Sequence, residues 1–388
     1  LEAWRYPNAG GYRTLPALNI ACSGLDVSAA TQEWLALAKH NPDISEALNW
    51  FTRTFKDAPV LGSLIDVNTA YYEGKTEGKA SPWQVLLDAK AATDDEAKTA
   101  EVTAQRLAVA AKLLSGSYNL VATNVPYLAR GKQCDTLQNF CENYFPEAKA
   151  DLATVFLERC VDFSPAGGTS TIVLPQNWLF LTSYTDFRKK LLTEDTWNLV
   201  ARLGAGAFET ISGEVVQAIL VVLNRGPASL GNMLHGIDVS GLKATAKKAE
   251  QLLVQQFRSV LQAEQLEKPD ARISLNSKSS SALVNNYADT ATGMQSFDRP
   301  RFIHYFWEMS VFSDGWEPCQ STVRTTSHMG GCEYAVLWEN GQGQLYKMME
   351  QKRVLENYTS AIWKAGSQYW GTKGVMVSLM GNLPVSLY

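Results

Sequence analysis

Apolar residues along the chain follow two alternating patterns, which predict strands and helices in turn. Short, nearly continuous apolar runs predict buried strands, and apolar positions that return every three or four residues predict amphipathic helices. In the helix predicted over 151–163, for example, Leu152, Val155 and Phe156 share one face. The strands are predicted at 15–25, 59–66, 120–122, 170–174, 198–203 and 215–223. The helical segments are predicted at 29–56, 83–116 (one helix or a hairpin), 151–163 and 182–192.

This alternation predicts an α/β fold with a mainly parallel sheet and helices on both of its faces. After residue 226 the pattern changes, because 242–268 is polar and rich in Lys, Gln and Glu, which predicts a helix that bridges two domains. The serine-rich stretch 274–281 indicates a flexible connection. The predicted domains are a core over 1–226, a helical connector over 227–284 and an α+β region over 285–388.

The composition is that of an ordinary globular protein, with 46% hydrophobic and 19% charged residues among 388. No apolar run approaches the roughly 20 residues of a membrane span, so we expect a cytoplasmic protein that does not contact a membrane. A net charge of −4 argues against a nonspecific nucleic-acid coat but allows a local basic groove. The six cysteines and four histidines lack zinc-ligand spacing, so no metal site is predicted.

The chain opens with Leu1-Glu2-Ala3-Trp4-Arg5. This stretch has no initiator methionine and no signal peptide, and it reads as the interior of a helix. We therefore expect the chain to be a fragment.

The predicted strand at 120–122 leads into Asn124-Val125-Pro126-Tyr127, at the end of a strand where open α/β sheets bind ligands. These residues come close to the Asn/Asp-Pro-Pro-Tyr/Phe motif of methyltransferases that modify an amino group conjugated to a planar system. Such an amine is a poor nucleophile, because its lone pair is delocalised. The Asn124 side chain and the Val125 carbonyl are expected to accept its two hydrogens, and Tyr127 is expected to stack on an extruded base. Valine at 125 departs from the motif, but any residue supplies the carbonyl.

Longer stretches extend this likeness through nearly the whole chain. They resemble the large N6-adenine DNA methyltransferases of the BREX phage-defence type (PglX-like), which are close relatives of type II restriction–modification enzymes. The resemblance implies a class I methyltransferase (Rossmann-like) core, S-adenosylmethionine as methyl donor and a flipped adenine in double-stranded DNA as target. Other defence-system subunits are further expected partners. The resembling stretches are LPALNIACSGL, LVATNVPYLARGKQ, DLATVFLERC, GGTSTIVLPQNWLFLTSY, GMQSFDRPRFIHYFWE and WGTKGVMVSLMGNLPVSLY.

The resemblance also assigns roles to individual residues. It implies a catalytic role for Asn124, Val125, Pro126 and Tyr127. Phe208 corresponds to an aromatic that stacks on the target base, although a core phenylalanine explains it equally well. Either Ser63 or Asp66 corresponds to the contact with the donor. The expected DNA contacts are Arg188, Lys189, Lys190, Arg299 and Arg301.

The resemblance further implies what this chain lacks. The family's glycine-rich donor-binding loop does not occur in these 388 residues. We therefore expect a core whose sheet is incomplete at its N-terminus, a region over 285–388 that begins target recognition, and an isolated chain that is inactive.

Two other functions fit the same motif. A protein glutamine methyltransferase also methylates a conjugated nitrogen, but those enzymes are compact and do not need residues 226–388. A non-catalytic DNA-recognition subunit with a degenerate methyltransferase core fits the missing donor-binding loop.

Overall fold

The computed structural model describes residues 18–27, 34, 41–72, 80–89, 95–207, 216–275, 286–296, 298–309, 314–355, 362–378 and 383–388. The chain divides into two compact units, residues 1–279 and 280–388, and each is described by itself. No helix in the described part of the chain combines the length and the apolarity that a membrane crossing requires.

The first unit opens with helices. Asn41 caps the first helix, because its side-chain oxygen accepts hydrogen bonds from the backbone N–H groups of Asp43 and Ile44, and proline occupies the first helical position. Phe51, on the buried face of this helix, is fully enclosed. The helices are α1 (Pro42–Thr54), α2 (Ala58–Leu61), α3 (Val67–Tyr72), α4 (Pro82–Asp88) and α5 (Asp95–Leu114).

Two strands predicted in this part of the chain are wrong. Residues 18–27 form no strand, and 58–64 form α2 followed by a 3-10 turn over Gly62–Leu64. Short continuous apolar runs do not distinguish a buried strand from a buried helical turn. Pro59, in the first turn of α2, favours the helical alternative, because proline is tolerated at the start of a helix.

A six-stranded sheet forms the centre of the first unit, in the order β1-β2-β4-β3-β5-β6. The pairs β1/β2 and β3/β5 are parallel, whereas β2/β4, β3/β4 and β5/β6 are antiparallel. The sheet is therefore mixed, where the alternation of elements predicted a mainly parallel one. Apolar runs locate strands but carry no information on their direction, and β4 runs back between β2 and β3. The strands are β1 (Leu120–Asn124), β2 (Thr169–Pro175), β3 (Asp195–Gly204), β4 (Ala218–Arg225), β5 (Met233–Asp238) and β6 (Arg258–Leu261).

Helices pack against this sheet through fully buried side chains, among them Leu157 and Phe187 of the helices and Trp197 of β3. The side chain of Arg159 donates to the carbonyls of Ser63 and Ile65 and so ties the N-terminal helices to the sheet layer. The remaining helices of this unit are α6 (Asp135–Tyr144), α7 (Leu152–Asp162), α8 (Thr185–Glu194), α9 (Thr245–Val254) and α10 (Gln262–Leu266).

The helical connector predicted over 227–284 is wrong, because β5 and β6 belong to the central sheet and the first unit continues to residue 279. Gln262 shows how a polar segment is held there. Its amide donates to the carbonyls of Leu192 and Asp195 and accepts from the Trp197 N–H. The glutamine is 2% exposed, so a residue that suggested a solvated helix is a buried link to the sheet.

The second unit contains both helices and short strands, as predicted. Three antiparallel strands pair in the order β7-β9-β8, and two further strands pair as β10-β11. A small core forms around Phe302, Leu345, Met349 and Trp363. The elements are α11 (Arg299–Phe302), β7 (Ile303–Tyr305), β8 (Trp316–Cys319), β9 (Tyr334–Leu337), α12 (Gln344–Leu355), β10 (Val375–Val377) and β11 (Val385–Leu387).

Candidate active site

The motif Asn124-Val125-Pro126-Tyr127 lies at the carboxyl end of β1, as the sequence predicted. The Asn124 side chain is exposed, Val125 is buried and Tyr127 is half-buried. The Tyr127 hydroxyl donates to the Asn124 side-chain oxygen at 3.2 Å. Burial, and secondarily the charge of Asp151, raise the pKa of Tyr127, so the phenol stays protonated and remains a donor at neutral pH.

The Val125 carbonyl is kept out of the sheet by a proline on the neighbouring strand. The Val125 N–H donates to the Val173 carbonyl of β2. In a parallel ladder the Val125 carbonyl would next accept from the N–H of residue 175. Residue 175 is proline and has no N–H, so β2 cannot donate this hydrogen bond to the Val125 carbonyl. Pro175, the last residue of β2 and the first of the sequence PQNW, therefore contributes to the candidate site because it has no N–H to donate.

If the motif binds the amine that the sequence analysis predicts, replacing Pro175 with alanine is expected to slow its methylation roughly tenfold, because the new N–H competes for the Val125 carbonyl. The loss stays partial, since a carbonyl oxygen has two lone pairs. The measurement is single-turnover methylation of DNA by the purified product of the gene that encodes this chain. Pro146→Ala, at an exposed loop position, is the matched control. Equal rates for the two variants would contradict the role assigned to Pro175.

Asp151 anchors the backbone that follows Tyr127. Its side-chain oxygen accepts from the Leu128 N–H at 3.3 Å and from the Ala153 N–H at 2.9 Å, which also caps α7. The Leu152 N–H returns a bond to the Leu128 carbonyl at 3.0 Å. The sequence analysis missed this role. An aspartate directly before an amphipathic helix was the signal, because aspartate is a preferred N-cap.

β1, β2, β3 and β5 run in the same direction, so they end at one edge of the sheet, here called the carboxyl edge. Arg202 near the end of β3 pairs with Asp238 at the end of β5 at 2.8 Å, and its Nε donates to the Gln176 side chain at 3.4 Å. The side chains of Arg202 and Asp238 are about one-third exposed. This polar cluster was also missed, since no local spacing connects residues 176, 202 and 238.

Helix α9 holds the chain that leaves β3 at the carboxyl edge. Lys248 is 3% exposed and its Nζ donates to the Leu203 carbonyl and, at 3.4 Å, to the Val239 carbonyl. Burial lowers the pKa of Lys248, and the charge of Asp238 acts in the opposite direction. Gly204 has a φ of +71°, and a Cβ there would lie 2.7 Å from the Ser240 Cβ, so this position requires glycine. Phe208, predicted to stack on the target base, lies outside the described residues.

Lys248→Met is expected to speed amide hydrogen exchange in the segment 203–207 roughly tenfold, because a hydrogen bond from a charged donor contributes about 1.5–3 kcal/mol. Exchange measured by mass spectrometry on peptides from this segment tests the expectation. Lys247→Met is the matched control, since Lys247 is the exposed neighbour on the same helix. Unchanged exchange in the Lys248 variant would contradict the anchoring role.

The two residues predicted to contact the methyl donor are engaged elsewhere. The Ser63 hydroxyl lies 3.2 Å from that of Ser23, and the Asp66 carboxylate accepts from Asn68 and Thr69 at the start of α3. Ser63 lines a cavity of about 270 Å³ with Tyr118 and other residues near the start of β1, whereas Asn124 ends that strand. Both side chains keep capacity for a further hydrogen bond, so the predicted contacts of Ser63 and Asp66 with the methyl donor stay predictions.

The three residues of the basic cluster 188–190 differ in their burial and in their partners. Arg188 is fully buried and donates to backbone carbonyls, so the predicted DNA contact is wrong for this residue. Lys190 pairs with Glu158 and, at 3.8 Å, with Glu147, which neutralises its charge locally. Lys189 is exposed and its predicted DNA contact stays a prediction. A run of basic residues on a helix does not reveal which of them point inward.

Arg299 and Arg301 lie in the second unit and are both exposed. Arg301 donates to the Gln344 side chain at 3.0 Å, and the Arg299 guanidinium lies 4.6 Å from the centre of the Tyr334 ring. Their predicted DNA contacts also stay predictions. Within the described ranges, no group of three or more His, Cys, Asp or Glu residues is placed to hold a metal ion.

Comparison with known proteins locates the likeness in the first unit. Residues 31–208 match the Eco57I restriction-modification methylase family. The chain is 36% identical over 116 residues to the adenine-specific methyltransferase PglX of Lacticaseibacillus casei (strain Zhang), which covers 29% of this chain and 9% of that protein. It is 32% identical over 171 residues to the adenine-specific methyltransferase BrxX of Escherichia coli O9:H4 (strain HS), which covers 44% of this chain and 14% of that protein. The matches thus span about a tenth of the length of these relatives.

Among solved structures, the Type ISP restriction-modification enzyme LlaGI, determined as a nuclease-deletion mutant in complex with a DNA substrate mimic, superimposes with a TM-score of 0.33 at 12% identity. The superposition covers 48% of this chain and 20% of that one, which is too limited to support a conclusion about function. The sequence comparisons confirm the predicted resemblance: residues 31–208 match the Eco57I restriction-modification methylase family, and the chain is similar to the adenine-specific methyltransferases PglX and BrxX.

Proposed function

We propose that this chain provides the target-amine site of a DNA adenine-N6 methyltransferase that acts in phage defence or restriction–modification. The methyl donor is S-adenosylmethionine and the target is an adenine flipped out of double-stranded DNA. The observation that carries the proposal is the pair of acceptors at the end of β1, the exposed Asn124 side-chain oxygen and the Val125 carbonyl that Pro175 leaves outside the ladder. The similarity to PglX and BrxX supports adenine as the target.

The two acceptors address the chemical difficulty of the reaction. The N6 lone pair of adenine is delocalised into the ring, which makes the amine a weak nucleophile. Hydrogen bonds from its two N–H groups to Asn124 and Val125 favour a tetrahedral nitrogen with a localised lone pair. As the nitrogen forms its bond to the methyl carbon, the bond between that carbon and the donor sulfur would break, the neutral sulfide would leave, and the nitrogen would release one proton to solvent. S-adenosylmethionine, when bound, supplies that methyl group on a positively charged sulfur.

Tyr127 has two roles in this proposal. Its hydroxyl donates to Asn124 at 3.2 Å and so orients the amide oxygen toward the amine. That oxygen has a second lone pair, so it can accept from adenine at the same time. The phenol ring offers a face on which the flipped base stacks. Since the pKa of Tyr127 is raised, both roles persist across the neutral pH range.

The test is long-read sequencing for N6-methyladenine in cells that express the gene encoding this chain, compared with cells that carry an empty vector. The proposal predicts methylated adenine at one recurring sequence only when the gene is expressed. An expressed protein with no adenine signal would contradict it. Mass spectrometry of cellular proteins for methylated glutamine would then separate the glutamine methyltransferase from a non-catalytic DNA-recognition subunit.

A further inference from the structure

Three aromatic rings stack in a row in the sheet of the second unit. Tyr305 of β7 and Tyr334 of β9 are directly paired across the sheet, and their ring centres lie 4.8 Å apart at an angle of 28°. The Trp307 ring stacks on Tyr305 at 4.5 Å and 14°. We call Trp307, Tyr305 and Tyr334 the aromatic row. Two β-strands fix the tyrosines, so the Trp307 ring rests on a preorganised support.

Trp307 ends the aromatic row and is 60% exposed, with Phe306 beside it at 51%. An indole ring that stays in water does not gain the favourable free energy of burying its large apolar surface. An exposed tryptophan that is held in place by stacking therefore indicates a binding surface. The near-parallel stack beneath it presents the ring as a flat platform. A flat partner can extend the stack without reorganising the protein.

A cavity of about 420 Å³ adjoins the aromatic row, with Arg299, His304 and Glu308 in its wall beside Tyr305 and Tyr334. Arg299 is exposed and its guanidinium lies over the Tyr334 ring. The Glu308 carboxylate already has partners within the protein, because it accepts a hydrogen bond from the Tyr305 N–H at 2.9 Å and lies 3.8 Å from the His304 ring nitrogen. Among the described residues, Arg299 is the arginine or lysine of this wall, and it lies at the end of the aromatic row opposite Trp307.

We infer that the aromatic row and Arg299 form a binding site for an unpaired base of nucleic acid. The base stacks on the Trp307 platform, a contact that every base can make because every base has a π-face. Arg299, at the opposite end of the aromatic row, contacts a phosphate further along the same strand. A flat stacking platform and a cation in one row match the bases and the phosphates of a single strand, so a nucleic acid is the occupant that uses both features. This inference rests on the proposed function only for the kind of nucleic acid, which the proposed function identifies as DNA.

The test measures binding of the 388-residue chain to a fluorescein-labelled single-stranded DNA of about 12 nucleotides by fluorescence anisotropy. Trp307→Ala is expected to weaken binding about tenfold, since a base–aromatic stack contributes about 1–3 kcal/mol. Trp307→Phe keeps a π-face and should stay within about threefold of the wild-type affinity. Tyr287→Ala is the matched control, because Tyr287 is an 81% exposed aromatic of the same unit outside the aromatic row.

Arg299 has a separate readout. Arg299→Ala is expected to reduce the slope of log affinity against log salt concentration by about 0.7, the value for one phosphate contact on a single strand. Arg324→Ala, at another exposed arginine of the same unit, should leave the slope unchanged. Far-ultraviolet circular dichroism of each variant verifies folding.

Failure of the inference and failure of the proposed function give different results. If the wild-type chain does not bind the single strand, or if Trp307→Ala binds it as tightly as wild type, the base-binding site is wrong whatever the methylation assay shows. If Trp307 matters for binding but the gene produces no N6-methyladenine, the proposed methyltransferase is wrong and the base-binding site stands.

Discussion

Replacing Asn124 with alanine is expected to reduce adenine methylation by a factor on the order of 10²–10³, the usual effect of removing one hydrogen-bonding group that stabilises a transition state. In the proposed function the amide oxygen is one of two acceptors for the target amine, and Asn124 is the exposed residue of the two. Alanine also leaves the Tyr127 hydroxyl without its 3.2 Å partner, so both the acceptor and its orientation are lost.

The measurement is the N6-methyladenine content of genomic DNA, by mass spectrometry, in cells that express each variant of the gene. Asn124→Asp keeps an acceptor oxygen at the same position and should retain measurable activity. Asn119→Ala changes an exposed asparagine just before β1, at the opposite end from the motif, and should have no effect. Wild-type methylation in the Asn124→Ala variant would show that the amide does not take part in the reaction.

Local signals predicted the parts of the structure that place this motif. The apolar run that leads to Asn124 forms β1, and Asp151, which is followed by an amphipathic pattern, marks the start of α7. Both features depend on residues that lie only a few positions apart in the sequence, because helix caps and hydrophobic periodicity act over that distance. The position of Asn124 at the end of a sheet strand could therefore be read from the chain alone.

The features that complete the site depend on contacts between distant segments. Pro175 matters because β2 pairs with β1 in a register that sets residue 175 opposite the Val125 carbonyl. Lys248 matters because α9 lies over the end of β3, 45 residues earlier in the chain. Nothing in the local sequence of either residue carries this information. The direction of β4 and the place of β5 and β6 in the sheet were missed for the same reason.

Arg188 shows that the local sequence also does not reveal whether a charged residue is buried, and its replacement is expected to have a large effect on stability. A basic residue in Arg188-Lys189-Lys190 suggested a phosphate contact, but the guanidinium is fully buried. It donates to the carbonyls of Asp270 at 2.7 Å and Leu181 at 2.8 Å, and further donor contacts reach Trp178, Ala271 and the Thr185 hydroxyl. Burial lowers the pKa of Arg188, partly offset by the charge of Asp270.

The contacts of Arg188 join two turns that are otherwise far apart in sequence. One is the segment after β2 that contains Trp178 and Leu181, and the other is the turn at Asp270 and Ala271. The backbone at 270 and 271 has φ angles of 56° and 50°, a left-handed conformation that costs non-glycine residues of order 1 kcal/mol each. The hydrogen bonds from Arg188 offset that cost, so the arginine stabilises the turn.

Arg188→Met is therefore expected to lower the free energy of unfolding of the first unit by roughly 3–5 kcal/mol, because several buried carbonyls lose their donor at once. Arg188→Lys should recover only part of this, since one ammonium group cannot reproduce the planar set of five N–H donors. Lys189→Ala, at the exposed neighbouring position, should change stability by less than about 0.5 kcal/mol. Urea unfolding followed by tryptophan fluorescence measures all three. If Arg188→Met unfolded at the wild-type urea concentration but bound DNA more weakly, the arginine would be a DNA contact after all and its buried position would be wrong.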